Sequence, residues 1–271
     1  MTVGFGTNLL NYIGIFAGGN PILANEVAAT IPIETGLSGS TAPTPLINIT
    51  LNGKDGLYSK TGLQRSIGPD GLIAEAEDNG VGLKLTRHGA KPLVIEEVGI
   101  LRPASPDGHQ IWLRAGGLYY TTDYARLDGR GTKRNWMAYV LADYQLVQPS
   151  KAEPYRGIFV GACALIAPKS VNVYAQTYEV RTYAIGMLPG RPTDQMSFTV
   201  GYNVFSSTAG KTYSLLGAAT HKGQISVGFL YAYHMARGLY LSPSITYIRN
   251  PSFIGTFKPA LNLGTALTVI L

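Results

Sequence analysis

Few side chains in this chain are spaced for covalent or metal chemistry. The four histidines, His88, His109, His221 and His234, show no i, i+4 pairing and no cysteine cluster beside them, so a metal-ligand spacing is missing. Ala209-Gly210-Lys211-Thr212 looks like half of a phosphate-binding loop. The first glycine of G-x-x-x-x-G-K-[ST] would fall at Phe205, and the residues that follow read as strand where the motif needs a helix. Gly36-Leu37-Ser38-Gly39 does not fit G-x-S-x-G, and no Ser-His-Asp arrangement stands out. Cys163 is the single cysteine, set in the apolar run 157–167, and reads as a small buried thiol. One cysteine makes no internal disulfide and no multi-cysteine zinc site. The expectation is a protein that is not an enzyme.

Charges set inside alternating stretches are more informative. Lys60, Arg114, Asp143, Glu179 and Arg181 all lie within runs of period two. Arg or Lys facing hydrocarbon at the midplane of a bilayer costs about 2–4 kcal/mol, so in a membrane wall these charges should face a lumen. Arg114 shares its face with Trp112, Gly116 and Tyr120, opposite Ile111, Leu113 and Ala115. Asp143 shares its face with Tyr139 and Gln145, and Glu179 and Arg181, two apart, are placed to pair. Glu96 and Glu97 are adjacent, so only one of them can point inward. Otherwise such charges would lie at solvated strand ends. A lumen with both charge signs and with Trp112, Tyr120 and Tyr139 suits neutral polyhydroxylated solutes. Charged groups exchange hydrogen bonds with hydroxyls, and aromatic faces meet the apolar faces of sugar rings.

The elements that position these residues are strands. Period-two alternation runs from about residue 45 to the C-terminus, and it is cleanest at 224–235. There Ile225, Val227, Phe229, Tyr231, Tyr233 and Met235 oppose Gln224, Ser226, Gly228, Ala232 and His234, with Leu230 as the exception. Twelve strands are predicted, at about 45–51, 56–67, 80–87, 92–101, 110–120, 134–147, 156–167, 173–187, 195–206, 223–235, 238–249 and 260–271. Most exceed the roughly 5–6 residues of an ordinary strand and reach the roughly 9–11 needed to cross a bilayer at a tilt. Arg237-Gly238 is a two-residue hairpin candidate, whereas 68–79 and 121–133 are long and polar. Short turns at one end and long loops at the other belong to membrane barrels.

Composition agrees. Charged residues are only 14% of 271, against about 25% in a typical soluble domain. Tyr, at 17, outnumbers Phe (8) and Trp (2) together, and the tyrosines fall near strand ends, where headgroup-level girdles form. No run of 18 apolar residues predicts a membrane helix. Residues 1–44 read as an irregular segment, either a short helix lined by Leu9, Leu10, Ile13, Ile15 and Phe16 or a lumen loop. Its first 25 residues have no Lys or Arg, so no signal peptide is expected in this chain. Residues 45–271 form the barrel portion. The fold class is therefore all-β, a transmembrane antiparallel barrel. A soluble all-β sugar-binding module with a dry sandwich core is the alternative.

Residues 186–202, GMLPGRPTDQMSFTVGY, resemble the G-L-L-P-G-R-P-x-D-x-x-x-x-x-V-x-Y hallmark of carbohydrate-selective porins of the OprB type, through Gly186, Leu188, Pro189, Gly190, Arg191, Pro192 and Asp194. In order along the chain, RAGGLYYTTDY (114–124), AYVLADY (138–144) and the stretch from Gln224 to Pro251 resemble further segments of that family. VIEEVGI (94–100) resembles an A-E-x-G-Y strand and puts Glu97 on the family's Glu, as AYVLADY puts Asp143 on its Asp. The resemblance implies a sixteen-stranded barrel in the bacterial outer membrane, surrounded by its lipid. It implies passive diffusion of small neutral sugars, no cofactor and no nucleic acid. A homo-oligomer, by the trimer habit of porins, is a further expectation. With twelve strands, the chain reads as a C-terminal portion lacking about four, ending in Leu271 where such barrels usually end in Phe. Open edges leave a smaller closed barrel, pairing with another chain, or a non-functional fragment as the options.

Overall fold

A computed structural model describes residues 1–6, 21–23, 43–79 and 83–270. Strands β1 (Thr2–Gly6), β2 (Thr44–Asn52), β3 (Leu57–Arg65), β4 (Pro92–Arg102), β5 (Ile111–Ala125) and β6 (Thr132–Val147) are followed by β7 (Gly157–Ile166), β8 (Tyr174–Ile185), β9 (Gln195–Phe205), β10 (Gly223–Ala236), β11 (Leu239–Arg249) and β12 (Ala260–Val269). They form one sheet in chain order, each neighbour antiparallel. Among the described residues β1 and β12 are edges and do not pair with each other.

Two strand assignments change. No strand forms over 83–87, although Leu83, Lys84 and Leu85 alternate, and Gly80–Gly82 lies outside the described residues. Thr2–Gly6 instead pairs with β2, from Thr2 against Asn48 to Gly6 against Thr44. At five residues, with two of them glycine, it is too short to stand out by alternation. The proposed helix at Leu9–Phe16 lies outside the described residues. The connection read at 121–133 shortens to 126–131 because β5 and β6 run on as a long hairpin.

Connections fall into two sets by end. Segments 53–56, 103–110, 148–156, 186–194 and 237–238 join strands at one end, and 66–91, 126–131, 167–173, 206–222 and 250–259 at the other. Two long loops carry helices, α1 (Gly71–Asp78) and α2 (Ser207–Leu215). α2 covers the Gly210-Lys211-Thr212 stretch and runs on to Leu215, where the following residues read as strand. Ser206 caps it, accepting from the backbone N–H groups of Thr208 and Ala209 at 3.1 Å each. Its hydroxyl is the local signal for the helix.

The two faces of the sheet differ. One face exposes large apolar side chains, among them Leu113 (45%), Val140 (55%) and Phe229 (43%). A soluble sandwich would bury such a face against a second layer; here it is the lipid-facing wall. The opposite, inner face is not uniformly polar, as expected from its small and polar residues. Leu93, Ile95, Leu118, Tyr120, Met137 and Leu165 form one buried apolar cluster on it. Phe159, Tyr183, Leu230 and Tyr240 form another. Ile22 and Leu23, from the connection between β1 and β2, are buried in the second cluster at 6% and 1% exposure. A short piece of the N-terminal segment therefore lies against the inner wall.

The loop 66–91 is tied down by charge. Glu75 of α1 is fully buried and accepts from Arg65 at 2.6 and 3.0 Å, from Arg87 at 3.0 Å and from Asn79 at 3.0 Å. The Tyr124 hydroxyl donates to the Ile67 carbonyl at 2.8 Å and fixes the root of the loop. Burial alone would raise the Glu75 pKa, but the hydrogen bonds from Arg65, Arg87 and Asn79 outweigh it and hold the carboxyl at about 2. The group is more acidic folded than unfolded, so its contribution is complete above an unfolded value near 4.5 and fades as pH falls towards about 2. Amide protection factors over 66–79 and 83–91 are expected to hold from pH 7 to pH 5 and to fall below that. Glu75→Gln, which takes the carboxylate from Arg65 and leaves Arg87 only its more exposed partners Asp70 and Asp78, should cost about 3 kcal/mol of loop anchoring at neutral pH.

Candidate pore-lining site

A belt of polar side chains crosses the inner face from β3 to β8, and strand register assembles it. Lys60 stands opposite Glu97, Glu97 opposite Gly116, and Gly116 opposite Tyr139. One step along, Trp112 stands opposite Asp143, Asp143 opposite Gly161, and Gly161 opposite Arg181. All eight residues singled out from the sequence, Lys60, Glu97, Trp112, Arg114, Tyr139, Asp143, Glu179 and Arg181, lie on this face. Glu97, Arg114, Tyr139, Asp143, Glu179 and Arg181 are buried, while Lys60 and Trp112 are half-buried. Glu96 points to the outer face, so Glu97 is the inward member of that pair.

The contacts run continuously along the belt. Tyr58 and Tyr139 each donate a hydroxyl to Glu97 at 2.8 Å, one to each carboxylate oxygen. The Trp112 indole N–H donates to the Tyr58 hydroxyl at 3.1 Å. The Arg114 guanidinium carbon lies 3.6 Å from the Trp112 ring centroid and covers one face of the indole. Arg114 also reaches Asp143 at 4.0 Å. Arg181 donates to both Asp143 oxygens at 3.0 Å through Nη2 and to Glu179 at 2.6 Å through Nη1. Lys60, Arg114 and Arg181 balance Glu97, Asp143 and Glu179, so the belt is dipolar with no net charge. Tyr58 was not picked out by sequence reasoning; it lies two residues from Lys60 and therefore on the same face.

Two glycines make room for the belt. A Cβ on Gly116 would lie 2.5 Å from the Tyr139 ring and hydroxyl, and one on Gly161 would lie 2.5 Å from Asp143 Oδ1 and 2.6 Å from Arg181 Nε. Neither glycine has a positive φ, so space and not backbone freedom requires them. In front of the belt, Thr50, Asn52, Tyr58, Lys60, Glu97 and Trp112 line a cavity of about 400 Å³. Arg114, Asp143, Glu179 and Arg181 lie behind this cavity and hold its front members in place.

The Pro-Gly hallmark is elsewhere, in the connection 186–194 between β8 and β9. Arg191 donates to both Asp194 oxygens at 2.8 Å and to the His234 carbonyl at 2.9 Å. Asp194 also accepts from the His234 backbone N–H at 3.0 Å and from the Tyr231 hydroxyl. Burial opposes its charge, yet these donors hold the carboxyl below its ordinary range. Gly186 has φ +65°, and a Cβ there would meet the Pro192 carbonyl at 2.3 Å. The hallmark is thus a clamp that fastens the β8–β9 connection to β10, and it lies apart from the polar belt.

Residues 111–270 match the carbohydrate-selective porin, OprB family. The chain belongs to that family. The match spans β5 to β12 and identifies a channel family and not an enzyme family. Among solved structures, the high-pH structure of Pseudomonas putida OprB aligns with a TM-score of 0.74 and 16% identity, covering 88% of this chain and 61% of that one. The low-pH structure of the same protein aligns with a TM-score of 0.53 and 14% identity, covering 86% and 57%. This chain therefore spans less than two thirds of the length of Pseudomonas putida OprB. No curated protein matches it. At such identities the likeness is one of fold, a porin wall of antiparallel strands.

Within this OprB-family wall, Gly161→Ala is expected to force Asp143 and Arg181 apart and to cost about 1–3 kcal/mol, the usual price of overpacking. Urea unfolding in detergent micelles measures it. Gly4→Ala, where a Cβ meets nothing within 4 Å, is the control and should unfold as the parent does.

Proposed function

We propose that this chain forms the wall of a passive pore in the bacterial outer membrane, selective for small neutral sugars. The observation that carries the reading is the neutral dipolar belt with a half-covered indole facing a cavity of about 400 Å³. A belt of balanced charge gives no advantage to an ion of either sign. Its carboxylates, guanidinium groups and Lys60 offer donors and acceptors to hydroxyl groups, at fixed positions set by the buried ion pairs. Arg114 occupies one face of Trp112 and leaves the other for the apolar face of a sugar ring. Lys60, Glu97 and Trp112 are the contact residues in this reading; Arg114, Tyr139, Asp143, Glu179 and Arg181 are positioning residues. Ile22 and Leu23, seated on the same wall, narrow the passage near Tyr183, whose hydroxyl bonds Asp143. No chemical step is involved, so transport is downhill and needs no cofactor.

Swelling of liposomes containing the 271-residue chain tests this. Neutral hexoses should enter faster than charged solutes of similar size. Trp112→Ala should weaken sugar block of the ion current about fivefold, the loss of roughly 1 kcal/mol of ring contact. Arg114→Leu, which leaves the belt with one net negative charge, should favour cations and so erode the preference for neutral solutes. Unchanged flux and unchanged selectivity in both variants would reject the belt as the selecting element.

A further inference from the structure

Charge is spread unevenly around the long-loop end. Beyond Asp194 the chain has no Asp or Glu, and the connection 167–173 has none either. The connections 167–173, 206–222 and 250–259, with the end of β11, therefore bring Lys169, Lys211, Lys222, Arg249 and Lys258 to one side of that rim without an acidic residue. All five are exposed, and among the described residues none of them makes an ion pair. On the neighbouring side, the connections 66–91 and 126–131 pair Lys84 with Asp78, Arg87 with Asp70 and Arg126 with Asp128. One side of the rim is largely neutralised from within; the other keeps its whole charge.

The basic side is also a built surface. The Ser206 backbone N–H donates to the Val173 carbonyl at 2.7 Å, that of His221 to the Phe253 carbonyl at 2.8 Å, and that of Gly255 to the Ala219 carbonyl at 2.7 Å. The Phe253 ring centroid lies 4.9 Å from that of Tyr213 and 6.3 Å from that of Phe205. The three connections are thereby one unit, and the cations stand on a fixed frame. Large apolar side chains are set among them. Lys211 and Leu215 lie four apart on α2 and so share a face. Leu215 and Leu216 are 88% and 77% exposed, and Phe257, next to Lys258, is exposed as well. On the outward face of β11, Arg249 lies two residues beyond Tyr247, with the phenol at headgroup level and the guanidinium past it. Leucines gain nothing from facing water. Cations interleaved with apolar side chains fit a boundary where phosphates lie above acyl chains.

We propose that this side of the rim binds the phosphate-bearing headgroup of an anionic lipid in the outer leaflet. Lys211, Lys222, Arg249 and Lys258 meet its phosphates, and Leu215 and Leu216 meet the top of its acyl chains. Charge complementarity selects this occupant over an uncharged lipid, and the exposed leucines select it over a soluble anion. Long loops face the exterior in such barrels, so the leaflet is the external one. The inference rests on the membrane-wall reading and is independent of which solute passes.

The test is native mass spectrometry of the 271-residue chain in detergent micelles, titrated with bisphosphorylated lipid A and with the same lipid stripped of both phosphates. Lipid A is expected to stay bound and the stripped lipid to leave. A lysine near an anionic surface contributes about fivefold, or about 1 kcal/mol, so Lys211→Gln, Lys222→Gln and Lys258→Gln together should weaken binding on the order of a hundredfold. Lys54→Gln, Lys151→Gln and Arg237→Gln, the same change of charge at the short-turn end, should leave it as it was. In hydrogen exchange, bound lipid A should protect amides of 206–222 and 250–259. Equal binding of the stripped lipid overturns the proposal. So does unchanged binding in the long-loop triple variant, or an equal loss in the short-turn one. Protection of the same amides by inorganic phosphate alone assigns the rim to soluble anions and also overturns it. A chain that folds only outside detergent and lipid rejects the membrane wall itself, a separate result that takes this inference with it.

Discussion

A strand has two faces, and a slip of one residue exchanges them. In this chain such a slip anywhere from β3 to β8 would move Lys60, Glu97, Arg114, Asp143 or Arg181 from the inner wall into hydrocarbon. It would also turn Leu113, Val140 or Val180 inward. Each displaced Arg or Lys would cost about 2–4 kcal/mol at the bilayer midplane, and its partner would lose a buried counter-charge. Register is therefore held by the belt as much as by the backbone ladder. The pairing of Asp143 with Arg181 across Gly161 is its centre, since both side chains are almost wholly enclosed and each has the other as a direct hydrogen-bond partner.

Burying ions is expensive, and the belt meets that cost by leaving few valences open. Glu97 receives one hydroxyl on each oxygen, and Arg181 spans two carboxylates. A network satisfied to this degree is stiff. Stiffness serves a passive pore, because selectivity between a sugar and an ion depends on donors and acceptors that do not rearrange around whichever solute arrives. The glycines at 116 and 161 belong to the same arrangement: they are the places where the tyrosine ring and the ion pair need the room a side chain would fill.

Most of this was legible in period-two alternation, and the departures have physical reasons. Every belt residue chosen by parity lies on the inner face, since parity is a property of the backbone and survives twist and tilt. The inner apolar clusters were less visible, although their members were the exceptions in the pattern. Leu230 broke the alternation of β10, and Met137 and Leu141 shared a face with Asp143. All three are buried inside. Alternation at Leu83–Leu85 misled because alternation cannot report whether a neighbour exists to pair with; both leucines are exposed, at 61% and 67%. β1 fails the other way, since five residues carry too little pattern and its pairing with β2 spans a long connection. Nor could the sequence separate contact from support within the belt, which depends on which side chains stand in front.

The inner clusters bear on where a solute can travel. Against β4 to β7 near the long loops, and against β7 to β11 near Ile22 and Leu23, the inner wall carries clusters of packed apolar side chains. The polar cavity of Thr50, Asn52, Tyr58, Lys60, Glu97 and Trp112 lies on strands beside the β1 edge. Lipid does not tolerate an unpaired sheet edge, so in a membrane that edge must be paired, by β12 of this chain or by strands from outside it. Whatever strands complete the wall then border the cavity directly, and they share with Lys60 and Trp112 the setting of its width. The belt supplies the chemistry of one side of the passage; its bore is set jointly with the strands that face it.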